Sequence, residues 1–454
     1  MATFVIVGAG LAGAKAAQTL REEGFDGEIV LIGAEAERPY ERPPLSKDYL
    51  QGRSERESIF VHEPAWYADN DVDLRLGLRA TRIEPGHHVV RLADGSRQPY
   101  DKLLIATGAV PRRLPGPAYY LRTAEDSEAL RRRFAEGASV LVVGASWIGL
   151  ETAAAARAAG CEVTVVEPEP TALNRALGHE LGELFARLHV SKGVDMRFGT
   201  AAAEVTETGV RLSSGERLTA DLVVAGIGAA PEVWLARDAG LDVGQGVRTD
   251  AALRTSHPDI YAAGDVAESY HPLYGRHIRV EHWANALHGG PAAARSMLGQ
   301  EVVHDRVPYF YTDQYELGME FSGDVSGHDE IVYRGDPDGL EFIAYWLREG
   351  RVIAGMNVNV WDVVADIQEL IRSGGHCGRK GAIVGLSVTT SSSLVVLRGL
   401  GFLVGFGVLL VVCAGATLPR HCTVQRGVSP SLPRSFMVSS RGESVRLPLR
   451  QASR

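Results

Sequence analysis

Two short glycine-rich runs carry the most legible chemistry in this chain. In Gly8-Ala9-Gly10-Leu11-Ala12-Gly13, the first glycine suits a tight turn. The second lets backbone approach a pyrophosphate, and the third lets helix and strand pack closely. Gly144-Ala145-Ser146-Trp147-Ile148-Gly149 repeats the spacing, with Ser146 narrowing the middle approach. An acid follows each run by roughly 20 residues, where it can accept hydrogen bonds from ribose hydroxyls. These acids are Glu35 and Glu167. One such run also fits a plain strand–helix turn. Two, each with its acid and a returning strand, point to two dinucleotides whose pyrophosphates face helix N-termini.

The elements needed to position these runs are present. Thr3–Val7 and residues 139–143 are apolar strands that end in the glycine runs, and helical patterns follow over 14–23 and 150–159. Second strands over 28–32 and 162–166 lead to the two acids. Asp101-Lys-Leu-Leu-Ile-Ala-Thr-Gly-Ala-Val-Pro111 matches Asp221-Leu-Val-Val-Ala-Gly-Ile-Gly-Ala-Ala-Pro231, each preceded by a hairpin signal. Asp259-Ile-Tyr-Ala-Ala-Gly-Asp265 is a further strand ending in Gly-Asp. Asp265 fits either a flavin's hydroxyls or the N-cap of a helix. Aromatic residues cluster between 307 and 373, where strands and an amphipathic helix over 361–371 are expected; strand core accounts for most of these rings.

With 454 residues the chain exceeds one hydrophobic core, and several domains are expected. Net charge of −9 argues against nucleic acid as a partner. The charge is uneven. Residues 377–454 hold ten Lys or Arg and one acid, leaving 37 basic and 55 acidic residues in the body. Of four cysteines, only Cys161 lies in the body, and it reads as core. No metal-type Cys/His spacing occurs. The N-terminus opens at once on a strand without a signal-peptide pattern, so a cytoplasmic location is expected.

Further segments tie these features to a family. Tyr40-Glu-Arg-Pro-Pro-Leu-Ser-Lys47, Ala106-Thr-Gly108, Trp147-Ile-Gly-Leu-Glu151, Ala263-Gly-Asp265, Val280-Glu-His-Trp283 and Tyr311-Thr-Asp-Gln314 join the first glycine run. Over about residues 3–374 the chain resembles the NADH-dependent ferredoxin reductases of bacterial oxygenase systems. The resemblance implies an α/β architecture of the glutathione reductase type. Two Rossmann-like dinucleotide-binding domains, an FAD domain split by an inserted NAD domain, precede a C-terminal α+β domain. The expected ranges are 1–110 and 232–305 for FAD, 111–231 for NAD, and 306–376 for the C-terminal domain. By the same resemblance, FAD contacts fall on Gly8, Gly10, Ala12, Gly13, Glu35, Arg42, Lys47, Ala80, Thr107, Gly108, Arg122, Gly264, Asp265 and Trp283. NAD contacts fall on Gly144, Trp147, Ile148, Gly149, Glu151, Glu167 and Gly228.

The implied activity is oxidation of NADH by FAD, with single electrons passed to a 2Fe–2S ferredoxin that feeds an oxygenase. Lys47 and Glu151 are expected beside the reactive edge of the flavin, where a lysine cation stabilises negative charge. Read without the resemblance, they are two ordinary surface charges, Lys47 starting a helix and Glu151 inside one. Glu167 favours NADH. A 2′-phosphate about 4 Å away would cost up to about 4 kcal/mol before screening, and Arg175 is placed to soften this. Thiol relays are excluded, because disulfide reductases of this fold carry cysteine soon after the first glycine run and this chain has none there. Arg42, Arg276 and Arg279 are candidates for docking an acidic ferredoxin. Reduction of a quinone or small oxidant, or a redox-dependent binding role like that of apoptosis-inducing factors, are the other readings.

The chain departs from the family near Gly375. Residues 399–418 are twenty uncharged positions flanked by Arg398 and Arg420, long enough to cross ~30 Å as a helix. They form either a membrane anchor or, with the rest of the basic tail, an unselected sequence such as a shifted reading frame yields.

Overall fold

The computed structural model describes residues 1–377 and, beyond them, the short strands Ile383–Val384, Ser392–Val396, Leu410–Ala414, Met437–Ser440 and Glu443–Arg446. The chain divides into two units, Met1–Gly385 and Leu386–Arg454. In the second unit, Ser392–Val396 pairs antiparallel with Leu410–Ala414, and Met437–Ser440 with Glu443–Arg446. The remainder of 399–418, and with it the anchor expectation, lies outside the described residues. Among the described residues no helix is long and apolar enough to cross a membrane.

In the first unit, Thr3–Val7 is the centre of a five-stranded parallel sheet. Lys102–Ile105 and then Ile260–Ala262 lie on one side; Glu28–Ile32 and then Val72–Arg75 lie on the other. Parallel sheets are covered on both faces, which explains why these strands are apolar at nearly every position. Alternate residues serve separate cores. Phe4, Ile6, Ile29, Leu31 and Leu104 join one cluster; Val5, Val7, Val30, Ile32, Leu103 and Ile105 join another. Each such side chain contributes roughly 1.5–3 kcal/mol by leaving water.

A four-stranded parallel sheet repeats the plan, in the order Asp195–Phe198, Glu162–Glu167, Ser139–Val143, Leu222–Ala225. Val140 and Val142 face one core, Leu141 and Val143 another. This sheet is built wholly from sequence lying between the strands of the first. The chain leaves the first sheet through Ala109–Pro111 and returns through Ala229–Pro231, and these two segments pair antiparallel with each other.

The third sheet is antiparallel, running Tyr309–Gln314, Leu317–Gly323, Arg351–Val358, Glu341–Arg348, Glu330–Asp336. Phe342, Ala344 and Trp346 face the core shared with the second sheet; Ile343, Tyr345 and Leu347 face the helix Val364–Ser373. That helix starts three residues later than the sequence pattern suggests. Asn359 and Asp362 adopt left-handed backbone, φ 50° and 63°, which postpones helical geometry. Trp361 consequently stays 55% exposed, before the helix rather than in it.

Candidate nucleotide and redox site

Both glycine loops are shaped by the same contacts. Gly8 takes φ +121°, and a Cβ there would overlap the Ala106 carbonyl; Gly144 takes φ +100° and stands in the same relation to Gly226. A Cβ at Gly13 would overlap the carbonyl of Gly8, and one at Gly149 that of Gly144. The Gly8 amide donates to Ile32 (2.8 Å) and the Gly144 amide to Val166 (2.8 Å). Asp101 accepts from the Thr3 amide (2.7 Å), as Asp221 does from the Ser139 amide (2.8 Å). Gly108 and Gly228 sit at matching ends of the connecting segments. Their carbonyls accept from the amides of Glu232 (2.9 Å) and Arg112 (2.9 Å), and the Thr107 hydroxyl adds a bond to the Glu232 carbonyl (2.9 Å).

The middle position is where the loops differ. A Cβ on Gly10 would meet nothing within 4 Å, so no packing within the protein requires glycine there. The helix Leu11–Glu22 begins at Gly10 with no side-chain cap. Free helix N–H groups beside empty space are what a pyrophosphate needs. In the second loop Ser146 caps the helix Trp147–Ala158, accepting from the Gly149 amide (3.4 Å), and its hydroxyl donates to the Gly226 carbonyl (2.6 Å).

Around the first loop two guanidinium groups converge between two carboxylates. Arg42 pairs with Glu35 at 2.8 Å and donates to the Arg122 carbonyl, while Tyr40 donates its hydroxyl to Glu35. Arg122 pairs with Asp265 at 3.0 Å. Burial works against the Glu35 carboxylate, yet the Arg42 charge and the Tyr40 hydroxyl outweigh it and hold its pKa below the ordinary value. Burial and the neighbouring Arg42 charge lower the pKa of Arg122. Such a donor set suits the phosphates and hydroxyls of a dinucleotide. Asp265 is not an N-cap. It lies inside the short turn Gly264–Val266, with Ala263 before it and no side-chain capping bond. Gly264 comes close to Ala12 at the helix start, where a Cβ would lie 3.2 Å from the alanine methyl. Ala80 is buried, its methyl group in the second of the two cores that flank the first sheet. Trp283 opens the helix Trp283–Met297 and meets Tyr311 edge-on at 6.3 Å.

Lys47 and Glu151, 104 residues apart in sequence, form an ion pair of 2.7 Å. Neither is a surface charge, since the side chains are 14% and 3% exposed. Nor does Lys47 start a helix; it follows the last residue of the 3-10 turn Pro43–Ser46. Glu151 also accepts hydrogen bonds from the hydroxyls of Ser46 and Thr312, and the Lys47 ammonium lies 5.3 Å from the centre of the Tyr311 ring. Three donors, from Lys47, Ser46 and Thr312, thus converge on one buried carboxylate. Sequence reasoning missed Ser46 and Thr312 as participants. The available signal was a polar residue at an inward position of the strand Tyr309–Gln314, where Thr312 and Gln314 are buried and Asp313 between them is exposed.

Trp147 packs against Phe310 (5.0 Å) and Phe185 (5.7 Å), and Ile148 stays exposed. Trp147, Leu177, Arg279, His282 and Phe310 line a cavity of about 400 Å³. Burial pushes the His282 imidazole down to about 4. The Glu167 carboxylate accepts from the amides of Ala145 (2.7 Å) and Glu169 (3.0 Å), so it sits directly under the second glycine loop. Arg175 pairs with Glu169 at 2.6 Å.

The arginines expected at a docking surface are engaged. Arg42 is held by Glu35, Arg276 by Asp324 and Arg279 by Glu281. Cys161 is buried, as expected of a core residue.

The chain is similar to known proteins in sequence and in fold. Residues 2–290 match the model of the pyridine nucleotide-disulphide oxidoreductases, and 309–383 that of the reductase C-terminal region. The ferredoxin–NAD(+) reductase component of the anthranilate 1,2-dioxygenase system of Burkholderia cepacia is 41% identical, covering 82% of this chain and 94% of its own. Putidaredoxin reductase of Pseudomonas putida is 38% identical, over 78% of this chain and 88% of its own. Among solved structures, the covalent putidaredoxin reductase–putidaredoxin complex superimposes with a TM-score of 0.81 at 35% identity, covering 84% of this chain and 96% of that one.

Proposed function

The chain belongs to the pyridine nucleotide-disulphide oxidoreductase family, and from that premise we propose that it is a ferredoxin–NAD(+) reductase, an FAD flavoprotein that oxidises NADH and reduces a 2Fe–2S ferredoxin of an oxygenase system. The observation that carries this reading is the conjunction of two glycine loops with a buried Lys47–Glu151 pair and no cysteine before Cys161. Bound FAD supplies the redox chemistry, accepting two electrons as hydride and giving them up one at a time.

The chain's own residues then bind, orient and tune. The free N–H groups after Gly10, together with Arg42 and Arg122, hold the diphosphate; Glu35 and Asp265 accept from hydroxyls. Thr107, Gly108, Gly264, Trp283 and Ala80 complete the set of FAD contacts that the family resemblance implies. Lys47 places positive charge beside the flavin edge, with Glu151 fixing its position. On the NADH side, Gly144, Trp147, Ile148, Gly149 and Gly228 form the binding wall, and the Glu167 carboxylate disfavours a 2′-phosphate. Residues 1–110 and 232–305 form the FAD domain, 111–231 the NAD domain and 306–376 the C-terminal domain, a division the sheet memberships support. We place the protein in the cytoplasm, where NADH is generated.

A visible spectrum of the purified chain, before and after anaerobic NADH, is the first test. Flavin bands that bleach with NADH support the reading; a colourless protein that stays so after refolding with FAD defeats it. Turnover with a 2Fe–2S ferredoxin against turnover with a quinone then separates the proposed acceptor from its rival. Lys47→Ala is expected to slow flavin reduction about a hundredfold while NADH binding changes little.

A further inference from the structure

A line of hydrogen bonds runs away from Glu151 and ends at a strained turn. The Thr312 hydroxyl donates to Glu151, and Gln314 Nε2 donates to Thr312 Oγ1 at 3.2 Å. Gln314 Oε1 stands 2.9 Å from Nε2 of His189, whose Nδ1 faces the Tyr315 hydroxyl at 3.3 Å. These partners fix the direction of every bond. Gln314 spends its N–H on Thr312, so its oxygen must accept, and His189 must carry its proton on Nε2. His189 Nδ1 is then the acceptor for Tyr315. The chain therefore points one way, from Tyr315 through His189, Gln314 and Thr312 to the carboxylate, and bonds aligned in this manner polarise one another.

Burial keeps the chain in this form. Thr312, Gln314 and His189 are all buried, and burial pushes the His189 imidazole down to about 4, so it is neutral at working pH. The far end is clamped. Tyr315 and Glu316 form a two-residue turn between Gln314 and Leu317, and Tyr315 adopts φ 57°, a left-handed conformation that a bulky side chain avoids. Its ring packs against His189 at 5.1 Å, and Lys192 pairs with Glu316 at 2.8 Å. A strained residue that its surroundings hold in place is a feature of functional sites. The line also joins three parts of the fold: Ser46 and Lys47 between the first-sheet strands Glu28–Ile32 and Val72–Arg75, Glu151 and His189 on helices of the second, and Thr312 and Gln314 on a strand of the third.

We infer that Thr312, Gln314 and His189 are positioning residues for the Lys47–Glu151 pair, holding the Glu151 carboxylate so that Lys47 keeps its charge directed at the flavin edge. The inference rests on the reading of that pair given above. Thr312 shares the neutralisation of Glu151 with Lys47 and Ser46. When its donor is removed, the carboxylate draws more strongly on the ammonium, and less positive charge remains for the flavin.

The test uses the full-length holoprotein, reduced by NADH in an anaerobic stopped-flow instrument, with the flavin potential measured alongside. Thr312→Val is expected to slow the limiting rate of flavin reduction about tenfold, to leave the Kd for NADH within about twofold, and to shift the potential negative. Thr312→Ser, which keeps the donor, restores the rate. Gln314→Met, one link farther out, gives a smaller slowing of the same kind and stands in should Thr312→Val lose its flavin. Adding Thr312→Val to Lys47→Met slows the enzyme no further than Lys47→Met alone. If Thr312→Val and Gln314→Met reduce at the wild-type rate while Lys47→Met is slow, the positioning role is overturned and the ion-pair reading stands. If Lys47→Met itself reduces at the wild-type rate, the ion-pair reading falls and takes this inference with it.

Discussion

The two glycine loops are built on one plan and finished differently. Both are pinned to a neighbouring strand by the same amide, and both need glycine at the first and last positions because a carbonyl occupies the space of a Cβ. They part at the middle residue and at the acid. Gly10 leaves an uncapped helix start and open space, while Ser146 caps its own helix. Glu35 is held by the side chains of Arg42 and Tyr40; Glu167 is held by backbone amides. The first site is thus supplied with charges suited to a resident cofactor. The second satisfies its own polar groups and suits a ligand that comes and goes. The lesson is that the glycine pattern specifies a dinucleotide, and the neighbouring polar groups specify how tightly it is kept.

The comparison can be broken at several points, with effects of declining size. Gly8→Ala should cost more than about 3 kcal/mol through clash and backbone strain, and purification should give little or no flavin-loaded protein; a stable yellow variant would remove the shared steric plan. Acid should also separate the surroundings of the two loops. Burial holds His62, His282 and His304 near 4, all outside the stretch 111–231 that carries the second sheet, and His189 near 4 within it. The unfolded chain takes up these protons near the ordinary value of 6.5, before the folded one does, so stability is full above about 6.5 and falls as pH drops toward 4. Melting curves from pH 7 to 5 should show that decline, steeper for flavin release than for loss of NADH binding.

Gly10→Ala is expected to leave the apoprotein's denaturation midpoint unchanged while weakening FAD binding on the order of a hundredfold. Equal loss of both would show that the open space at Gly10 serves folding instead. Glu167→Gln should raise the NADPH-to-NADH ratio of kcat/KM roughly tenfold; an unchanged ratio would detach the acid from cofactor choice. Ser146→Ala, the mildest, should cost about 1 kcal/mol in thermal unfolding through the lost cap, with NADH affinity within about threefold.

Much of this was legible because it is local. Glycine spacing, the repeat of Asp101–Pro111 chemistry at Asp221, and runs such as Phe4-Val5-Ile6-Val7 encode strand, turn and helix within a few residues. The pairing of Lys47 with Glu151 followed from resemblance, not from spacing. Ser46 and Thr312 escaped notice because they reach Glu151 across 105 and 161 residues, distances over which sequence pattern carries no register. The partner of Arg175 was equally out of reach of sequence, because only side-chain geometry pairs it with Glu169. The late start of the helix Val364–Ser373 turned on left-handed backbone at Asn359 and Asp362, residue types that tolerate it but do not announce it.

The antiparallel ribbon of Ala109–Pro111 with Ala229–Pro231 carries a consequence for how such a molecule arises. Because the Arg112 amide bonds to the Gly228 carbonyl at 2.9 Å, the entry and exit of the intervening stretch meet at one point. A gene that lost this stretch would have almost no gap to span, and one that acquired it needed no rearrangement of the host sheet. A second nucleotide module can therefore be spliced in or out as a cassette, its borders already stitched.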